Sequence, residues 1–346
     1  DVTYADGADI ITASAGTSNF RAGVSAGDSI ASGGNYNVVV GDEAGTALTT
    51  GDYNVAVGYA ALYTEDAHGY STAIGARALQ TQNAGAEANN TAVGYNAGYA
   101  VTTGVRNTFI GGSAGDATTT GQRNVALGFQ ALTTNILGSR SVAVGHNALS
   151  IQNYATATDG YNTAVGHEAG AAMTTGVQNT LIGGLAGDAI TDADFNVAVG
   201  YGTLTTNVLG SRSVAIGVGS LATQNPATAT DMYNTAVGLN AGNAVTTGIN
   251  NTIIGGLAGD ALTAANYNTA LGVYALSSDT LGSNSTALGY GALYTQNFTT
   301  ATASYNVAVG HAAGNAVTTG IRNTLIGSNA GDAITDADNN VAVGTD

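Results

Sequence analysis

A glycine recurs along the chain at a nearly fixed spacing, and this regularity restricts the fold more than any other feature. It follows Val, Ile or Leu in eighteen segments, such as "NTAVGYNAG" at 90–98 and "NTAVGHEAG" at 162–170. Most of these anchor glycines are 17 residues apart, and from Gly94 onward the spacings 17, 17, 17 and 21 recur as a 72-residue period. A 17-residue unit is too short for a helix pair or a propeller blade. It fits one turn of a β-solenoid, here called a rung, in which short strands are joined by tight turns.

The number of units sets the size of the predicted domain. With a degenerate unit around Gly23 the series has about 19 rungs, so we predict an all-β, parallel β-solenoid over residues 19–346, preceded by a lead-in segment at 1–18. The chain begins at Asp1 and stops partway through a repeat at "NNVAVGTD". We therefore expect the solenoid to continue beyond this sequence in a longer protein.

A polar residue occupies one fixed place in every unit. The residue four positions before each anchor glycine is Asn or Ser. A side chain repeated at one corner can hydrogen-bond to its equivalent one rung away, as amide ladders do in stacked sheets. Alternatively, Asn is there because it tolerates turn dihedral angles. The candidate ladder residues are Asn90, Asn107, Asn124, Asn162, Asn179 and Asn196.

Both faces of the predicted strand are apolar. The residues three and one before the glycine are Val or Thr and then Val, Ile or Leu, and we predict that they fill the interior of the rung. The residue between them is also apolar, mostly Ala, although a half-solvated strand would carry polar residues there. We predict that it packs against another copy of the chain around a symmetry axis. The candidate contacts between chains are Phe109, Leu181, Ile253 and Leu325.

Composition and charge exclude several classes of function. The formal net charge is −16, with 7 basic against 23 acidic residues, so no basic surface for nucleic acid is expected. No apolar run approaches the ~18 residues of a membrane helix, and without cysteine there are no thiolate metal sites.

Candidate catalytic and metal-ligating residues belong to the repeat. His146, His167 and His311 each follow an anchor glycine, in a position that is elsewhere mostly aromatic or aliphatic. This stripe either packs between chains or forms a platform for a glycan. "IGGSAGDA" at 110–117 is only remotely like a calcium nonapeptide, because its Asp recurs once per 72 residues. We therefore predict no enzyme activity, and no catalytic, cofactor or metal residues.

The 21-residue units add a segment in which recognition could reside. They contain "IQNYATATDGYN", "TQNPATATDMYN" and "TQNFTTATASYN", in which the last residue but one is Tyr161, Tyr233 and Tyr305. Two interpretations stay open for these tyrosines: they brace neighbouring chains as struts, or they form a recognition surface on a rigid scaffold.

The units "NVAVGYAAL", "STAIGARAL" and "SVAIGVGSL" resemble the head repeats of trimeric autotransporter adhesins. They are still more similar to "NTAVGYNAG"-type arrays in phage tail-fibre proteins, which often end in an endosialidase-type chaperone. The resemblance covers about residues 19–346 and implies a left-handed parallel β-roll, with three chains side by side in a rigid rod. At about 4.8 Å per rung, the rod would be on the order of 90 Å long.

The function implied is that of a structural spacer in a trimeric phage tail or virion fibre, located outside the cell. The partner would be the chain itself, and a host-surface glycan or receptor would be contacted through another segment. The alternative is a bacterial cell-surface adhesin or a self-assembling extracellular filament.

Overall fold

The computed structural model describes residues 15–345, so residues 1–14 of the predicted lead-in segment lie outside the described residues. Every regular element in the described part is a short β-strand, and no helix in it could cross a membrane. The chain divides into two compact units, which within the described part are residues 15–147 with 152–159, and residues 148–151 with 160–345.

The first unit stacks eight three-residue strands into one parallel sheet, in the order β1-β2-β3-β4-β5-β6-β7-β9, and a small parallel pair, β8 with β10, lies beside it. These strands are β1 (Phe20–Ala22), β2 (Val38–Val40), β3 (Val55–Val57), β4 (Thr72–Ile74), β5 (Thr91–Val93), β6 (Thr108–Ile110), β7 (Val125–Leu127), β8 (Gly138–Ser139), β9 (Val142–Val144) and β10 (Thr158–Asp159).

The second unit stacks eleven three-residue strands in the same way, in the order β11-β12-β13-β15-β17-β18-β19-β21-β23-β24-β25, with parallel pairs β14–β16 and β20–β22. They are β11 (Thr163–Val165), β12 (Thr180–Ile182), β13 (Val197–Val199), β14 (Gly210–Ser211), β15 (Val214–Ile216), β16 (Thr230–Asp231), β17 (Thr235–Val237), β18 (Thr252–Ile254), β19 (Thr269–Leu271), β20 (Gly282–Ser283), β21 (Thr286–Leu288), β22 (Thr302–Ala303), β23 (Val307–Val309), β24 (Thr324–Ile326) and β25 (Val341–Val343).

The predicted fold class is confirmed: the chain is an all-β, parallel β-solenoid of about 19 rungs, one long strand per rung. Equivalent residues pair without a shift, as Thr91 does with Thr108 and Ala92 with Phe109. The register is therefore fixed by the 17-residue period itself.

The anchor glycine ends each strand at a corner that a side chain could not occupy. Gly94 has a φ of 139°, a region that L-residues with side chains rarely adopt. A Cβ added to Gly94 would lie 2.6 Å from the carbonyl oxygen of Gly111, in the next rung. Glycine is required because the backbones of neighbouring rungs are in direct contact at this corner.

The predicted orientation of the strands is wrong. The middle residue of each three-residue strand from β2 to β24 faces the interior: Phe109, Leu181, Ile253 and Leu325, the predicted contacts between chains, are completely buried within a single chain. The residues on either side, predicted to fill the interior, point outward and are partly exposed, as Thr91 and Val93 are. The interior of a 17-residue rung is narrow, so small Ala lines it and the bulkier β-branched residues lie outside.

Phe109 fits this narrow interior because glycines flank it. A Cβ on Gly98 would lie 2.8 Å from the Phe109 ring, and one on Gly115 would lie 2.4 Å from it. Leu181 lies in the same way between Gly170 and Gly187, with 2.8 Å on each side. The rungs of Ala126 and Ala198 instead bury a Leu four residues after their anchor glycines, Leu132 and Leu204. Large and small residues thus exchange places between rungs and the interior stays filled.

Candidate functional site

The predicted asparagine ladder lies along one buried edge of the rungs. In the first unit the side-chain oxygen of Asn90 accepts a hydrogen bond from the backbone N–H of Asn107 at 2.8 Å, and Asn107 does the same for Asn124 at 2.9 Å. Each amide nitrogen donates to a carbonyl 14 residues further on, as Asn90 does to Gly104 at 2.8 Å.

In the second unit Asn162, Asn179 and Asn196 repeat these bonds at 2.9 Å. A direct amide-to-amide bond, the form predicted from the sequence, joins Asn179 to Asn162 at 3.4 Å. The Asn side chains thereby supply hydrogen-bond partners to the buried backbone N–H and C=O groups at this corner, so the ladder has a structural role.

The outward side chains of the long strands form an uncharged surface in each unit, here called the outer face. From β2 onward the first residue of each long strand is Val or Thr and the third is Val, Ile or Leu. Several of the third residues are about two-fifths exposed, for example Leu127 at 42% in the first unit and Leu271 at 40% in the second. An apolar surface that recurs in every rung is unusual for a monomer in water.

An aromatic column lies on one side of the outer face. It contains the residues that follow the anchor glycines, among them Tyr95 at 59% and Tyr201 at 60% exposure. Two of the histidines considered above stack in this column: His146 on Phe129, with ring centroids 5.7 Å apart, and His311 on Tyr290 at 5.4 Å. His167 occupies the same position in its rung and is also exposed.

A second column lies on the other side of the outer face and contains the residues that precede the ladder position. Tyr36, Tyr53 and Tyr70 stack successively at 4.9 and 5.3 Å in the first unit. In the second unit the guanidinium of Arg212 lies over the Phe195 ring, 4.8 Å from its centroid, and is paired with Asp231 at 2.8 Å.

Tyr161, Tyr233 and Tyr305 belong to this second column and not to separate bulges. All three are about half exposed and have left-handed backbone angles near 50°. The inserted residues before them form the small parallel strand pairs, which ion pairs reinforce, such as Arg140 with Asp159 at 2.6 Å. The tyrosines are available either to brace another chain or to contact a ligand.

A buried polar cluster recurs in every fourth rung, and none of the sequence-based predictions included it. Its centre is a glutamine seven residues after an anchor glycine, which bonds the Ser that replaces Asn in the ladder of the same rung. The Gln Nε2 to Ser Oγ pairs are Gln82–Ser71 (2.8 Å), Gln152–Ser141 (3.1 Å), Gln224–Ser213 (3.0 Å) and Gln296–Ser285 (2.9 Å). The joint occurrence of Gln and Ser in these units was the available signal.

The same clusters hold two carboxyl groups that are fully buried, Glu65 and Asp279. Gln82 donates to Glu65 at 2.8 Å, and Gln296 donates to Asp279 at 2.6 Å. Burial raises the pKa of both acids, although the hydrogen bonds from these glutamines act in the opposite direction. The equivalent residues of the two other clusters, Asn135 and Asn207, are neutral.

The aspartates of the calcium-like segments are bound by hydroxyl groups. Asp116 accepts a hydrogen bond from Thr133 at 2.5 Å, and Asp188 accepts one from Thr205 at 2.6 Å. Ser277 donates to Asp260 at 2.6 Å in the same position. These bonds tie one rung to the next, so the recurrence of Asp has a structural reason.

Within the described residues, then, the repeated features are an outer face, two aromatic columns and internal polar ladders. No protein-family model matches the chain, and no match was found among curated proteins.

Proposed function

We propose that the chain is a structural segment of a trimeric fibre, of the kind that phages use in tails and virions to support attachment to a host surface. The observation that carries the proposal is the outer face, which leaves aliphatic side chains exposed or half-buried in every rung from β2 onward in both units. In water such a surface favours association, because each fully buried Leu or Ile side chain contributes about 1.5–3 kcal/mol.

The partner that matches this surface is another copy of the chain. The outer face recurs every 17 residues, and only a partner with the same period presents a matching side chain at every rung. The acidic residues lie elsewhere, since from β2 onward no charged residue occupies the outward positions of the long strands. The number three, the extracellular location and the link to host attachment rest on the resemblance of the repeats to phage tail-fibre arrays.

Analytical ultracentrifugation tests the assembly. We expect the wild-type chain at micromolar concentration to sediment at about three times its mass of 33.9 kDa. Leu271→Glu would place a charge in the outer face of β19, and this variant should dissociate, since burying an unpaired charge costs several kcal/mol.

The matched control is Ala264→Glu, an exposed residue of the preceding loop that lies outside the outer face. It introduces the same charge and should leave the mass unchanged. A monomeric wild-type protein, or equal dissociation of both variants, would contradict the proposal.

A further inference from the structure

The rung that contains Glu65 departs from its counterparts at three neighbouring positions. Counterparts of Glu65 are Asn or Asp, those of Asp66 are Ile, Val or Thr, and those of His68 are Gly. These counterparts are Asn135, Ile136 and Gly138; Asn207, Val208 and Gly210; and Asp279, Thr280 and Gly282. The counterpart rungs fold without these three residues, each of which can bind a metal, so the fold of the repeat does not explain their presence in one loop.

The side chain of Glu65 is completely buried, and only one of its two carboxylate oxygens accepts a hydrogen bond. One carboxylate oxygen accepts the hydrogen bond from Gln82, whereas Oε1 makes no hydrogen bond to any described residue. Nδ1 of His68 is also shielded from solvent and without a hydrogen bond. The two atoms face each other at 3.5 Å.

This separation suits two ligands of one metal ion. Bonds of about 2.0–2.1 Å in a tetrahedral site place neighbouring ligand atoms roughly 3.3 Å apart. Glu65, Asp66 and His68 each offer one ligand atom, and these three atoms lie within 4.8 Å of one another. A depression of about 220 Å³ lies on the solvent side of the loop and is lined by His68, Asp52 and Glu87 among others.

We propose that Glu65, Asp66 and His68 bind one zinc-type divalent cation. One imidazole and two carboxylates in a small tetrahedral site suit Zn²⁺, whereas Ca²⁺ and Mg²⁺ prefer all-oxygen sites with six or more ligands. The cation compensates the buried carboxylate for its lost hydration.

The counterpart rung fills the same place without a cation. Asn135 donates to the carbonyl of Gly138 at 2.9 Å, and the missing Cβ of Gly138 makes room for Tyr154, whose ring would lie 2.8 Å from it. The repeat thus supplies substitutions that suit this position, Glu65→Asn and His68→Gly.

The experiment measures zinc bound to the full chain after chelator treatment, by titration calorimetry and by elemental analysis after desalting. We expect the wild type to bind one equivalent more than Glu65→Asn or His68→Gly. Cobalt(II) should give the visible absorption of a tetrahedral site in the wild type and not in Glu65→Asn or His68→Gly. Asp66→Asn keeps the loop geometry and should weaken binding by at least about 10-fold.

His311→Ala, at an exposed histidine in the other unit, is the control and should bind zinc as the wild type does. Circular dichroism verifies that each variant is folded, and Asp66→Asn, which alters a side chain nearer the surface, keeps the test valid if the other two are not. Equal zinc binding by the wild type and Asp66→Asn, or no binding by the wild type, would overturn the proposal and leave only a contact between Glu65 and His68.

Discussion

At the scale of single residues, the repeat allows one position to be compared across rungs that share a backbone. Asp279 and Asn207 occupy the same buried place, and both accept a hydrogen bond from the backbone N–H three residues on, at 3.0 Å. They differ in one titratable group. The comparison isolates the effect of a buried carboxyl group, because the surrounding Gln and Ser are the same.

Asp279→Asn should therefore change the pH dependence of stability. Burial raises the pKa of Asp279 in the folded state above that of the unfolded chain, which is about 3.9. The contribution of Asp279 to folding stability is therefore fully present below the unfolded pKa and is lost as pH rises through the folded pKa. We expect the variant to melt at a higher temperature than the wild type at pH 7, and the difference to shrink toward pH 3.5. A difference that does not depend on pH, measured by thermal melts, would rule this out.

At the scale of the strand, the sequence predicted much of the structure and failed on one point. The period, the strand position and the glycine corner all followed from the spacing. Which face of the strand points inward did not follow from the spacing. Ala92 and its neighbours Thr91 and Val93 are all compatible with an interior, and the alternation of residues does not identify the buried face when both faces are apolar. The decisive signal was volume: Phe109 replaces Ala in a rung that has Gly115, and not Leu, four residues after the anchor glycine.

Leu181→Ala tests this orientation. Leu181 is completely buried within one chain, so the variant should lose about 2–5 kcal/mol of unfolding free energy in urea while the sedimenting mass stays the same. Leu181→Met keeps the volume and should cost less than about 1.5 kcal/mol. If Leu181 instead contacted another chain, Leu181→Ala would lower the mass and leave the folded monomer as stable as before.

At the scale of the whole molecule, charge and apolar surface act in opposite directions. Each chain has a formal charge of −16, and assembling three of them through an uncharged outer face brings like charges together. Ion pairs such as that of Arg140 with Asp159 neutralise only part of this charge, because the chain has just 7 basic residues.

The proposed trimer should consequently tighten as salt is added. At 0.5 M NaCl the repulsion between surface charges is screened over a few ångströms, while apolar contacts are retained. We expect the dissociation constant from sedimentation equilibrium to fall between 0.05 and about 0.5 M NaCl. A rise over this range would show that ion pairs, and not the outer face, hold the chains together.

The buried Gln–Ser clusters have one more consequence, which concerns how such a chain can change in length. If one or two rungs before the rung of Gln296 were deleted, Gln296 would lose Asp279 and lie beside Leu262 or Val245 instead. A deletion of four rungs would bring Asn207, the equivalent of Asp279, into this place. Insertions and deletions of 72 residues, which correspond to four rungs, are therefore the changes of length that preserve the buried hydrogen bonds of the clusters.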